Sequence, residues 1–522
     1  MSMNNVHRIQ QCIGRQAKHA ELNAFVSLAD AKHVLKLAND AEGVYAGIAV
    51  ACLSTDGTDA IIESRLHGGD GSTLRGKLIA IKDNIATKSL RTTASSEILD
   101  DYTSPYDATV VSHLISNGAI LAGKTNMDEF GMGSHSRSPF TGTVLNHLRR
   151  NGSPLSAGGS SGGSAVAVAT GQCWAALGTD TGGSVRLPAA YTGTVGFKPS
   201  YGRLSRWGVI AYANSLDTVG TLTSNVDDAR TLYHCLDRHD PRDPTSLSPS
   251  FRSKIKENSP AFAATSHRAK TLRIGVPREY NTTSLSSAVK GAWARLLRSL
   301  QDAGHSIHPV SLPSTQQALP AYYVLAPAEA SSNLARYDGV RYGFRTTGPD
   351  ASPSENLPLF ARTRGEGFGA EVQRRILLGA YTLSSEAMDN YFVQAQKVRR
   401  LIQRDFDRVF SLQNPLHDED SDGAIASSTQ VDVLIAPTAP TLPPSLAEVD
   451  SQTPFEAYMN DVLTVPASLA GLPAISVPIS KANGSSTSEG ATSIGMQVIG
   501  QFGDDEMVMD VGELIENMQQ SD

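Results

Sequence analysis

The chain reads as an α/β protein with a mixed, mostly parallel β-sheet core covered by helices on both faces, built either as two domains or as one unusually large one. Three observations predict this. Short runs rich in apolar residues recur along the chain, as in strands buried on both sides. Segments with helical apolar spacing stand between them, the order expected of a layered α/β sheet. The composition, 40% hydrophobic and 19% charged over 522 residues, is that of a globular protein longer than the usual single core.

The elements follow in order. Residues 5–45 carry good helix formers at helical spacing, within an N-terminal helical segment over 1–65. After a Gly-rich loop at His67–Ser72, Leu78–Ile81 predicts a buried strand with Lys82 at its end. Helical Ala108–Ser116 closes on Asn117-Gly118 before a strand at Ala119–Ala122. Composition turns polar and Pro/Ser-rich over 237–270, an excursion from the main domain at 66–510. Leu272–Pro277 restarts as a strand, Ser287–Gly304 as an amphipathic helix, and Ser306–Val310 as a strand. Glu371–Leu412 is the longest helical stretch, broken around Leu383–Ala387. Val431–Ala436 and Ala474–Pro478 are further strands, separated from that helix by an acidic insertion at 414–430. Residues 511–522 read as a C-terminal tail.

Charge and cysteine usage narrow the function. A net charge of −7 argues against the chain itself gripping nucleic acid. Four cysteines with no CxxC pair predict neither a disulfide framework nor a zinc site. No apolar run reaches membrane-spanning length. Arg8, Arg15 and Lys18 precede the first acidic residue, Glu21, as in an organelle-import address and equally as in a plain basic helix.

Two literal motif matches fail on physical grounds. Gly118–Thr125 fits the P-loop pattern, but its variable positions are a buried strand and the helix lies before the first glycine instead of after the lysine. Asp418–Gly423 opens like a calcium loop, yet the twelfth position, where a bidentate glutamate belongs, is Thr429.

A third pattern carries chemistry. Gly158–Ser164 and Gly182–Ser184 are Gly/Ser turns flanking the apolar stretch Ala165–Leu177. Glycines beside a serine let several backbone N–H groups converge on one small anion, as acyl transfer requires. A serine nucleophile also needs a base, and no histidine sits in a triad motif. Lys82, at the mouth of a buried strand, is the candidate. Bringing its pKa from ~10.4 to ~7.5 takes roughly 4 kcal/mol of environmental bias.

Lys82, Ser160 and Ser184, within GGSSGG…GTDTGGSVRLP, resemble the amidase signature family, which implies a single large domain. The resemblance implies Ser184 as the acylated nucleophile, Ser160 (after a cis peptide bond) as proton relay and Lys82 as base. It implies an oxyanion hole from the backbone N–H groups of Thr181, Gly182, Gly183 and Ser184. Phrases such as Lys124–Gly133, Phe197–Arg206, Tyr337–Tyr342 and Glu371–Gly379 are similar to those of its glutamine-hydrolysing branch, the A subunits of glutamyl-tRNA(Gln) amidotransferases. By that likeness Asp461 and Arg375 hold the α-amino and α-carboxylate groups of glutamine and Tyr322 lines the pocket, with Arg374 the rival to Arg375. One cation and one anion on the substrate call for a carboxylate and a guanidinium.

The resemblance further implies no metal and no cofactor in this chain. ATP and magnesium belong to a partner B subunit, a small third subunit completes the assembly, and tRNA is held mainly by the partner. A mitochondrial location is the expectation, with the bacterial cytoplasm as alternative. Two other functions stand beside this one: a free-standing amidase for aryl or aliphatic amides, and a catalytically silent scaffold.

Overall fold

Period-two alternation in one buried strand sets up the layers. In Leu78–Lys82, Leu78 and Ala80 pack with Ile9 and with Ala165–Val168, while Ile79 and Ile81 pack with Val110, Leu114, Leu232 and Leu236. Helices therefore cover both faces of the sheet. The computed structural model describes residues 5–52, 73–258, 271–351, 357–416, 430–480 and 492–521.

Among these residues one sheet of eleven strands runs through the molecule. In chain order they are β1 (Phe25–Leu28), β2 (Leu78–Lys82), β3 (Ile120–Thr125), β4 (Ala175–Asp180), β5 (Val195–Lys198), β6 (Thr218–Thr223), β7 (Arg273–Pro277), β8 (Ser306–Val310), β9 (Val433–Pro437), β10 (Ala474–Ser480) and β11 (Ile494–Ile499). Their spatial order is β1-β3-β2-β4-β6-β5-β10-β11-β9-β7-β8.

The sheet is mixed, as expected, but not mostly parallel. β3-β2-β4 and β9-β7-β8 are parallel, and the other six neighbouring pairs are antiparallel. A run of apolar residues reports burial on both faces; it says nothing about the direction of its neighbour. The N-terminal segment is likewise not wholly helical. Between α1 (Asn5–Lys18) and α2 (Ala31–Cys52), β1 joins the sheet edge against β3. The boundary expected at 510/511 falls inside a helix, Asp505–Ser521, whose Val511 and Ile515 are buried in the main core.

The long helical stretch does divide, into α3 (Ala370–Thr382) and α4 (Phe392–Val409). The polar excursion carries a helix at Pro249–Asn258. Its residues 259–270, the Gly-rich loop at 67–72 and residues 417–429 of the acidic insertion, including the calcium-like positions, lie outside the described residues.

A buried ion pair fixes the turn after β4. Asp180 and Arg186 are fully buried, and Arg186 is bidentate, Nη2 to Oδ1 at 2.9 Å and Nε to Oδ2 at 3.0 Å. Its remaining donors reach the Thr464 carbonyl at 3.0 Å and the Ser468 hydroxyl at 2.8 Å, tying residues 180–186 to a distant segment. Burial alone would raise the Asp180 pKa, but Arg186 holds it below the ordinary value. Arg186→Met strands a buried carboxylate, so the unfolding free energy should fall by about 3–5 kcal/mol. Denaturant melts check this; an unchanged midpoint would contradict it.

Candidate active site

β2 and β4 are parallel neighbours, and the site forms at their carboxyl ends. Lys82 shares the parity of Leu78 and Ala80, so it points into the layer holding the Gly158–Ser164 turn. Its side chain is fully buried, with Nζ 2.8 Å from Ser160 Oγ. Nζ also lies 2.9 Å from Thr179 Oγ1 and 3.3 Å from the Thr179 carbonyl. Asn84 Nδ2 donates to the same Thr179 hydroxyl at 3.1 Å. A neutral amine that gives its two N–H groups to Thr179 keeps its lone pair for Ser160.

Burial pushes the Lys82 pKa down to about 7, against the opposing pull of Asp128, Asp180 and Asp217. Such a lysine is a base near neutrality. The Gly159–Ser160 peptide is cis.

The second turn lies against the first: the Ser161 N–H donates to the Ser184 carbonyl at 3.0 Å. Among the described residues, the N–H groups of Gly182, Gly183 and Ser184 donate to no other protein group, which leaves them for an oxyanion. Glycine is required here by space. A Cβ on Gly183 would overlap Thr464 Oγ1 and sit 3.2 Å from Asp461 Oδ1; one on Gly182 would sit 2.8 Å from the Tyr322 ring. Thus Asp461 and Tyr322 both border the turn. Thr181 is held from behind, its hydroxyl donating to Asp217 Oδ1 at 2.7 Å.

The two arginines separate. On α3, Val372, Arg375, Gly379 and Thr382 form the buried stripe at helical spacing. Arg375 is therefore inward, and Arg374, about 100° round the helix, has a half-exposed side chain paired with Glu371. Arg375 Nε donates to Glu371 Oε1 at 2.8 Å and Nη1 to the Tyr212 hydroxyl at 2.7 Å. The rings of Tyr212, Tyr323 and Tyr458 surround it, with centroids 5.4–5.7 Å from the guanidinium carbon.

Asp461 accepts from the Ser134 hydroxyl at 2.8 Å. Burial pushes it up to about 7, with Ser134 and Arg375 pulling the other way. An arriving ammonium group would return it to the charged state. Sequence reasoning missed Asp128, Ser134, Thr179, Tyr212, Asp217 and Thr464: each reaches the site from a loop or strand end with no periodic signal. The lysine of the P-loop match, Lys124, is buried in β3 and bonded to the Ile85 carbonyl at 2.7 Å and Thr92 Oγ1 at 2.8 Å, aimed at no phosphate cradle.

The amidase family model matches residues 46–509. The chain belongs to the amidase family. As a member it is an amidase-class enzyme, and Lys82, both serine turns, Arg375 and Asp461 all lie within the matched residues. It is similar to the mitochondrial glutamyl-tRNA(Gln) amidotransferase A subunit of Coccidioides posadasii, 53% identical over 99% of both chains. The Emericella nidulans protein of the same name is 59% identical over 88% of this chain and 93% of its own. The solved structure of the glutamyl-tRNA(Gln) amidotransferase A subunit from Thermotoga maritima superposes with a TM-score of 0.64 at 36% identity, covering 85% of this chain and 83% of that one.

The buried lysine has a thermodynamic signature. Its folded pKa lies below its unfolded value, so between about pH 7 and pH 10 the unfolded chain binds the extra proton, and stability rises with pH. Lys82→Met should therefore be more stable than the parent by a few kcal/mol (order of magnitude) below pH 7. Thermal unfolding of both from pH 6 to 9 should show that advantage shrinking as pH rises; a constant difference would contradict the assignment.

Proposed function

We propose that this chain hydrolyses the side-chain amide of glutamine and delivers the ammonia to a partner that amidates glutamyl-tRNA(Gln). The observation that carries the reading is the fully buried Lys82 amine, 2.8 Å from Ser160 Oγ, beside a turn whose N–H groups at 182–184 donate to no protein group among the described residues. Ser184 attacks the carboxamide carbon; its proton passes to Ser160, whose own proton passes to Lys82. The N–H groups of residues 181–184 hold the tetrahedral oxyanion. As the C–N bond breaks, the Lys82 ammonium returns a proton through Ser160 to the leaving nitrogen, and ammonia departs. Water then cleaves the γ-glutamyl ester on Ser184 by the same relay, releasing glutamate.

Arg375 and Asp461 support an amino acid over an aryl or aliphatic amide, because a buried guanidinium and a buried carboxyl group are wasteful for an apolar substrate. The intact lysine and serines argue against a silent scaffold. The relatives' names support a multi-subunit assembly and a mitochondrial setting. In this reading a B subunit supplies ATP and magnesium chemistry and holds the tRNA, a small third subunit completes the complex, and no cofactor works in this chain. No helix among the described residues is long and apolar enough to cross a membrane.

Ammonia release from glutamine, with and without partner subunits, tests the proposal. Ser184→Ala should lower turnover by about 10³-fold or more. Because Lys82 must be neutral to accept the proton, kcat/KM should rise with pH to a plateau through a midpoint near 7. Release from simple amides but not from glutamine would favour the free-standing amidase, and a flat profile would remove Lys82 as the base.

A further inference from the structure

The geometry points to Tyr212 as a positioning residue that fixes the separation between the carboxylate-binding guanidinium and the oxyanion turn, so that the site measures the length of its amino-acid amide. The inference rests on the proposed role of Arg375.

Tyr212 is buried and joined to both ends of the pocket. Its hydroxyl accepts from Arg375 Nη1 at 2.7 Å, and its ring lies 5.7 Å from the same guanidinium. Its backbone N–H donates to Asp217 Oδ2 at 2.8 Å, with Ala213 N–H adding a bond at 3.0 Å. The other oxygen of Asp217 accepts from the Thr181 hydroxyl at 2.7 Å, at the start of the oxyanion turn. Asn333 Nδ2 pins the Tyr212 carbonyl at 3.1 Å. One residue thus spans from the turn, through its backbone, to the guanidinium, through its side chain. Every link is buried, so bulk water does not compete for these bonds.

A fixed span has a chemical consequence. Glutamine and asparagine carry the same charged groups and the same carboxamide, but differ by one methylene between them. With the guanidinium fixed relative to the turn, only one of the two puts its carbonyl oxygen in the hole while its carboxylate meets Arg375. Pocket discrimination of a single methylene is typically about 10–200-fold. Without the Tyr212 hydroxyl, Arg375 keeps Glu371 and the rings of Tyr323 and Tyr458 but loses its hydrogen-bonded tie to the turn, and the shorter amide gains ground.

The test is Tyr212→Phe, which removes one oxygen and keeps the ring, in the assembled enzyme. Ammonia release is measured for glutamine, asparagine and propionamide, which has no carboxylate, with Arg375→Lys in parallel. The glutamine-to-asparagine ratio of kcat/KM should fall about tenfold, mostly through a higher KM for glutamine, with propionamide changed by a smaller factor than glutamine. An unaltered ratio, or an equal loss on all three amides, overturns the inference. An unchanged glutamine KM in Arg375→Lys overturns the carboxylate reading and the inference with it; a raised KM there beside an unaltered ratio in Tyr212→Phe overturns the inference alone.

Discussion

Withdrawing one amine from water is the constraint on which the rest of the structure depends. A lysine at the end of a strand ordinarily extends its ammonium to solvent. Here β2 is covered on both faces, and the parity of its side chains leaves Lys82 facing the first serine turn. The proton becomes costly to keep. The three nearby carboxylates soften that cost without cancelling it, which leaves the group poised near neutrality instead of locked in either state.

The surrounding architecture follows from holding that geometry. Because β2 and β4 are adjacent and parallel, their carboxyl ends bring residues 82 and 179–184 together. The Asp180–Arg186 pair then locks the second turn and reaches across to residues 464 and 468, and Asp461 stands three residues before Thr464. Side chains and backbone from two distant stretches of chain, 180–186 and 464–468, thus share one buried network. Such a network stabilises little on balance but leaves few alternative arrangements.

Much of this was legible in the sequence, for identifiable reasons. Lys82 follows an apolar run, and Ser160 and Ser184 sit among glycines that only a close backbone approach explains; short-range patterns sufficed. Arg375 was ambiguous because two adjacent arginines offer the same chemistry, and only the stripe Val372–Arg375–Gly379 seen on the folded helix turns one inward. β1 was hidden because four residues, Phe25–Leu28, between two helices carry too short a pattern. Strand direction was misread because burial and orientation are separate properties. Tyr212 and Asp217 lie in a loop, and they are tied to the site by partners 163 and 36 positions away, which no local reading reveals.

The chemistry proposed for this site turns on the protonation state of one nitrogen. Lysine-selective 13C or 15N labelling of the protein, with Lys82→Met to assign the resonance, measures it directly. Lys82 should titrate with a midpoint near 7. A midpoint near the ordinary lysine value of about 10.4 would contradict it.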